Sequence, residues 1–176
     1  AHRRENWGAG IINICTALKN IVAQNSDVEI IYLVHLNPIV KDAVYSILDK
    51  IEFVHLLPPL DTKETHNLMN KCYMVMTDSG GIQEEAPHLG KPVLVLRGVT
   101  ERPEAILYGT VKLIGTDTTK ITNAANLLIR DDKEYMRMSK AVNPYGDGNA
   151  SKRIADAILF DAGYKKEKVK DYIAIK

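Results

Sequence analysis

The feature that most limits the fold of this chain is a regular alternation of short apolar runs with longer segments of helical periodicity. Apolar runs of strand length occur at 29–35, 53–57, 73–77, 92–96 and 111–114, and helical patterns at 6–24, 38–48, 63–71, 82–89, 102–108, 119–129, 131–140 and 150–161. Strands that are apolar throughout are typical of parallel sheets buried on both faces, with helices as the crossovers. The pattern predicts an α/β fold with one doubly wound, Rossmann-like parallel sheet and no internal repeat.

Composition and charge argue against several classes of protein. The 176 residues are 45% apolar and 26% charged, which is typical of a globular domain. Lys and Arg number 23 against 22 Asp and Glu, so the net charge of +1 gives no overall field for nucleic acid or anionic lipid. The apolar runs are shorter than the ~20 residues that span a bilayer, and the opening AHRRE lacks the apolar region of a signal peptide. With Cys15 and Cys72 at no metal-ligand spacing, we expect a reduced, cytoplasmic protein with no membrane or nucleic-acid partner.

The strongest local motif is a pair of glycines, Gly80 and Gly81, between the third apolar run and the next helical pattern. In a doubly wound sheet, ligands bind at this edge, beyond the carboxyl ends of the strands. Glycines let the backbone approach an anion, and the unpaired N–H groups of a helix's first turn attract phosphate. Ser79 would add a hydroxyl donor or cap the helix. The residues alone leave two interpretations open, a phosphate site and a plain N-capped helix.

Two consecutive carboxylates, Glu84 and Glu85, follow this turn. Neighbouring side chains on a helix point about 100° apart, so these two do not form a pair that acts on one substrate atom. One of them would accept hydrogen bonds from sugar hydroxyls if it faced the cleft. The alternative is that both simply interact favourably with the helix dipole.

Two further loops at the same edge carry clustered positive charge, RGVTERPE at 97–104 and HRREN at 2–6. A guanidinium there would bind phosphate through two hydrogen bonds, or would form surface Arg–Glu pairs instead. His35, at the end of the first apolar run, is a further candidate at this edge. We interpret the other histidines as structural or surface residues, because none has a second ligand-type residue at metal spacing: His55, His66 and His88.

Motifs along the chain together resemble those of one enzyme family. They are HRREN at 2–6, VHLNP at 34–38, DSGGIQEEAP at 78–87, GKPVL at 90–94, TERPE at 100–104 and NPYGDG at 143–148. In this order and spacing they resemble the non-hydrolysing bacterial UDP-N-acetylglucosamine 2-epimerases, over the carboxy-terminal half of that family's chain. The resemblance implies a UDP-binding, Rossmann-like domain at 1–162, a terminal helix or tail at 163–176, and a two-domain arrangement of the glycosyltransferase-B type.

The resemblance also implies an activity and a set of roles. The family interconverts UDP-N-acetylglucosamine and UDP-N-acetylmannosamine by elimination and re-addition of UDP, with neither NAD nor a metal, in cell-envelope polysaccharide biosynthesis. The implied roles are diphosphate binding for Ser79, Gly80 and Gly81, ribose binding for Glu85, phosphate binding for Arg102, a place at the reacting region for the catalytic His2, and contact with an allosteric second UDP-N-acetylglucosamine for His35.

The implied partners are UDP or UDP-N-acetylglucosamine, an N-terminal domain carrying the proton-transferring carboxylates, and a second copy in a homodimer. We therefore expect the isolated fragment to be inactive, and to lack the central strand of the 3-2-1-4-5-6 order. Thr65 stands where family members often carry an aromatic residue that stacks on uracil. Two alternatives remain at this stage: the donor-binding half of a UDP-sugar glycosyltransferase, and a non-catalytic UDP-sugar sensor.

Overall fold

The computed structural model describes residues 1–174 and has the α/β class that the alternation predicts. A short 3-10 turn, Arg4–Asn6, comes before the first helix. The elements then follow as α1 (Ala9–Gln24), β1 (Ile30–Leu33), α2 (Pro38–Leu48), β2 (Val54–Leu57), α3 (Thr62–Lys71), β3 (Val75–Thr77), α4 (Gly80–His88), β4 (Val93–Val95), α5 (Pro103–Tyr108), β5 (Val111–Leu113), α6 (Thr118–Arg130), α7 (Asp132–Ser139) and α8 (Ala150–Asp161).

The strands are all parallel, as predicted, but within these residues they form two sheets in place of one continuous sheet. One sheet pairs β1 with β2, and the other has the order β3-β4-β5. Within residues 1–174, no ladder joins β1 to β3. The interruption falls where the sequence predicts a missing central strand, because β1 and β3 would both border that strand in the 3-2-1-4-5-6 order.

A single apolar core nevertheless spans both sheets. Tyr32 and Val34 at β1 belong to the same buried cluster as Leu94 and Leu96 at β4. Helix α1 contributes several fully buried side chains to this cluster and contacts both α2 and α6. The two sheets are therefore held in place by shared apolar burial, without ladder hydrogen bonds between them.

Burial on both faces, expected for all the apolar runs, is found for β4 and not for β1. Every residue of β4 is 0% exposed. In β1, Ile31 is 45% exposed and lies opposite the exposed His55 of β2. One face of the β1-β2 sheet is therefore open to solvent, and β4 is buried because it is the middle strand of its sheet.

The ends of two helices bear on the site. Helix α4 begins at Gly80, two residues earlier than its apolar pattern indicates, and Gly90 follows its end with φ of +68°, the left-handed conformation predicted there. After α8, the described part of the tail, residues 162–174, contains no helix, and the Tyr172 hydroxyl donates to the Asn143 carbonyl oxygen. The domain boundary at residue 162 stays a prediction. None of the helices in residues 1–174 is long and apolar enough to cross a membrane.

Candidate functional site

The glycine turn leads directly into α4, and no side chain caps the first turn of this helix. Ser79 is the residue before the helix, and its side chain makes no hydrogen bond to the helix amides. Its own N–H donates to Thr77 Oγ1 at 3.0 Å. Neither Gly80 nor Gly81 has a positive φ, so the backbone conformation does not require glycine at either position. The N-capped alternative is not observed, and the first-turn N–H groups stay available to a ligand.

Two charged side chains border the turn on opposite sides of the glycines. A Cβ built on Gly80 would lie 3.8 Å from Arg3 Nη2, and one built on Gly81 would lie 3.6 Å from Glu85 Oε1. The glycines therefore leave a space between the start of α4, a guanidinium and a carboxylate. Sequence reasoning noticed the basic HRREN motif but gave Arg3 no role. Only the tertiary structure brings Arg3 next to Gly80.

A buried carboxylate, Asp78, holds the first residues of the chain beside this turn. Asp78 is 1% exposed, and its Oδ2 accepts hydrogen bonds from the amides of His2 at 2.7 Å and Arg3 at 2.8 Å. It also accepts from Asn6 Nδ2 at 3.0 Å. Burial works to raise the pKa of Asp78, but the amino terminus and the two amide donors outweigh it and hold this pKa below its usual value. Asp78 therefore stays ionised and fixes the segment that carries His2 and Arg3.

The two predicted site histidines lie together at this point. The rings of His2 and His35 stack with centroids 5.2 Å apart and planes 14° apart. His2 Nδ1 lies 3.2 Å from Asp78 Oδ1, and His35 Nδ1 accepts from the Asn37 amide at 3.1 Å. Burial lowers the pKa of His2, although the charge of Asp78 opposes this shift. The imidazole of His2 is therefore largely neutral near pH 7.

Glu84 and Glu85 point to different partners, as their helical spacing predicts. Glu84 Oε1 accepts a hydrogen bond from Arg102 Nε, and this bond raises the pKa of the arginine. Glu85 Oε2 lies 3.1 Å from His66 Nε2. The interpretation of His66 as a structural or surface residue is therefore incomplete, because it contacts a predicted ligand-binding carboxylate.

A buried amide, Gln83, links the glycine turn to the loop that carries Arg102. Gln83 is 0% exposed, and its Nε2 donates to the Ser79 carbonyl oxygen at 3.1 Å. Its Oε1 accepts from Thr100 Oγ1 at 2.7 Å, and Thr100 Oγ1 in turn accepts from the Arg102 amide at 3.1 Å. Sequence reasoning missed this role, since Thr100 lies 17 residues away from Gln83 along the chain.

Arg97, by contrast, has a structural role. Its side chain is 4% exposed, and it donates to Glu5 Oε1 and to Glu101 Oε2, both at 2.7 Å. The alternative of surface Arg–Glu pairs across Glu101, Arg102 and Glu104 is found only in part. Glu101 pairs with the buried Arg97, and the half-exposed Arg102 pairs with Glu84, outside the loop. Arg97 binds the 97–104 loop to the N-terminal segment.

A surface cavity of about 600 Å³ adjoins the two carboxylates. Glu84 and Glu85 line one side of it, and the 143–148 turn lines another. Asn143 Nδ2 donates to the Glu84 carbonyl oxygen at 3.4 Å, which ties that turn to α4. In residues 1–174 there is no group of three or more His, Cys, Asp or Glu side chains placed to hold a metal ion.

Comparison with known proteins identifies the family. The sequence profile of the UDP-N-acetylglucosamine 2-epimerases matches residues 1–159. The chain belongs to the UDP-N-acetylglucosamine 2-epimerase family. A Clostridium acetobutylicum protein provisionally given that name is 69% identical over 98% of this chain and 45% of its own length. The UDP-N-acetylglucosamine 2-epimerase of Bacillus subtilis is 51% identical over 95% of this chain and 44% of its own length. The chain thus spans less than half the length of these relatives.

Solved structures in this epimerase family share the fold. A Staphylococcus aureus protein in complex with UDP superposes with a TM-score of 0.93 at 46% identity, covering 97% of this chain and 47% of that one. The Neisseria meningitidis UDP-GlcNAc 2-epimerase bound to UDP-GlcNAc gives a TM-score of 0.87 at 45% identity, covering 90% of this chain and 43% of that one. The fold is therefore of the glycosyltransferase-B type, and this chain corresponds to one part of it.

Proposed function

We propose that this chain is the UDP-binding half of a UDP-N-acetylglucosamine 2-epimerase and that it holds the diphosphate at the start of α4. One observation carries the proposal: the first turn of α4 has no side-chain cap, and the Arg3 guanidinium lies against Gly80. Unpaired amides at a positive helix end, together with a guanidinium, favour a doubly charged phosphate group. The structures of the family in complex with UDP and UDP-GlcNAc support the ligand class.

The neighbouring side chains receive the rest of the nucleotide. Glu85, on the wall of the cavity, accepts hydrogen bonds from the ribose hydroxyls. Arg102 assists at the phosphates with Nη2, whose N–H groups donate to no residue in the range 1–174, while its Nε stays with Glu84. Ser79 adds a hydroxyl donor at the diphosphate. Because Gln83 joins Ser79 to the Arg102 loop, these groups are positioned before the ligand binds.

The reaction that fits this site is the interconversion of UDP-N-acetylglucosamine and UDP-N-acetylmannosamine by elimination and re-addition of UDP. When the bond to UDP breaks, negative charge develops on the diphosphate, and the helix end and the arginines stabilise it. His2, beside the glycine turn, serves the reacting region. Proton transfer at C2 needs a base within hydrogen-bond reach, and we assign that base to the part of the relatives' chain that lies outside this one. The complete enzyme is proposed to be a cytoplasmic homodimer.

Calorimetric titration with UDP tests the site. We expect Glu85→Ala and Arg102→Ala each to weaken UDP binding about tenfold or more, because a hydrogen bond to a charged group contributes about 1.5–3 kcal/mol. Glu134→Ala and Arg137→Ala are matched controls, since this ion pair lies on α7 and Arg137 adjoins Gly109, at the amino end of β5. The controls should keep the affinity of the parent chain. Unchanged affinity in both test variants would remove these residues from the site.

A further inference from the structure

One oxygen of the buried Asp78 carboxylate lacks a full set of partners. Oδ2 accepts three hydrogen bonds, from the amides of His2 and Arg3 and from Asn6. Oδ1 is also buried, and no donor in residues 1–174 makes a well-directed hydrogen bond to it. His2 Nδ1 lies 3.2 Å from Oδ1, within ion-pair distance, but the two atoms do not meet the geometry of a hydrogen bond.

We propose that Asp78 is a positioning residue that fixes His2 in the neutral tautomer with its proton on Nδ1. The other ring nitrogen, Nε2, is then the free proton acceptor that His2 presents to the ligand. The inference rests on the proposed function, which gives His2 its place at the reacting region. It goes further by naming which nitrogen of His2 is available and which residue makes it so.

The surroundings of His2 support a neutral ring with a defined tautomer. Asp78 is the anion that faces it, at the end of β3. Three other groups around His2 disfavour a positive charge on its ring: the His35 ring stacked on it, the adjacent Arg3, and the amino group of Ala1. In a neutral imidazole, the hydrogen bond made by one nitrogen decides the state of the other. Because a carboxylate only accepts hydrogen bonds, Asp78 requires the proton on Nδ1.

A purely structural role for Asp78 makes a different prediction. If Asp78 only anchored the N-terminal segment, its charge and Oδ1 would have no effect on the histidine ring. Asp78→Asn separates the two roles, since the amide oxygen still accepts from the His2 and Arg3 amides while the NH2 group faces His2 Nδ1. That group donates, so Nδ1 must become the acceptor and the proton must move to Nε2.

The test is ¹⁵N NMR of the histidine rings in the 176-residue chain, above the pH at which His2 titrates, with the His2 signals assigned from a His2→Gln sample. The parent chain should show a protonated Nδ1 and a bare Nε2. Asp78→Asn should show the reverse, and its His2 should titrate at lower pH because the anion 3.2 Å away is gone. Asn6→Ala, which removes a donor to Oδ2 and leaves Oδ1 untouched, should keep the parent's tautomer.

A protonated Nε2 or an even mixture in the parent chain would overturn the proposal. So would an unchanged tautomer in Asp78→Asn with a native-like amide spectrum. If Asp78→Asn does not fold, the parent chain and Asn6→Ala still decide the question, because both must show Nδ1–H. UDP titration of the same parent sample separates this inference from the proposed function, since the tautomer is measured without ligand.

Discussion

Replacing Gly80 by alanine should stabilise the protein and weaken UDP binding at the same time. Gly80 opens α4 without a positive φ, so alanine fits the backbone conformation. The built Cβ has Arg3 Nη2 as its neighbour at 3.8 Å, a contact within ordinary van der Waals distance. No clash therefore opposes folding. The new methyl group nevertheless occupies the space between the helix end and the guanidinium, where the proposal places a phosphate oxygen.

The two effects have different sizes. A Gly→Ala change at a compatible position stabilises a protein by about 0.4–1 kcal/mol, chiefly by restricting the unfolded chain. For a chain of this length, that corresponds to a rise in Tm of about 1–4 °C. Displacing the phosphate from one charge-assisted hydrogen bond costs about 1.5–3 kcal/mol, so the affinity for UDP should fall about ten- to 150-fold.

Thermal unfolding and calorimetric UDP titration of the same samples measure both effects. Gly109→Ala is the control, for which we expect a lower Tm and an unchanged affinity for UDP. Gly109 has φ of +80° and a built Cβ there would lie 3.1 Å from Arg137 Nη1, so alanine should lower the Tm. Because Gly109 precedes β5 at the far edge of the sheet, UDP affinity should stay unchanged. Parent-like affinity in Gly80→Ala, or a loss of affinity accompanied by a lower Tm, would refute the reasoning.

Three further predictions follow from other contacts. Gln83→Leu leaves the Ser79 carbonyl and the Thr100 hydroxyl without their partner, so urea unfolding should show a loss of about 1–3 kcal/mol; an unchanged midpoint would contradict this. The hydrogen bond from Arg97 lowers the pKa of Glu101 to about 2, below its ordinary 4.5. The ionised Glu101 therefore stabilises the folded chain above pH 4.5, and this contribution is lost as the pH falls toward 2. The difference in Tm between the parent and Glu101→Gln should narrow across that interval. Finally, the isolated chain should show no epimerase turnover in a coupled assay. Rates of ~1–10³ s⁻¹ would show that catalysis does not need the remaining part of the relatives' chain.

The sequence predicts those parts of the site that depend on local geometry. The start of α4 after the glycines follows from a strand, a turn and a helix in succession, and the divergence of Glu84 and Glu85 follows from the rotation per residue of a helix. The apolar pattern places the start of α4 two residues after its actual start at Gly80, because glycine has no apolar side chain to extend the pattern.

The parts that sequence reasoning missed depend on contacts between distant segments. Asp78 binds residues about 75 positions earlier, and Arg97 pairs with Glu5 across 92 positions. Such partners are set by which strands and loops become neighbours, and periodicity contains no information about a specific pair. The buried Gln83 was the one local signal available, since a polar residue at a core position of a helix needs hydrogen-bond partners there.

The division of the strands into two sheets has a consequence for handling the isolated chain. β1 and β3 are edge strands here, although both would be interior strands in a continuous sheet of the expected order. The unpaired N–H and C=O groups along such an edge can template pairing with another extended segment. With a net charge of only +1, copies of the chain repel one another weakly. Concentrated preparations will therefore tend to aggregate through these edges, and dilution will be the first remedy.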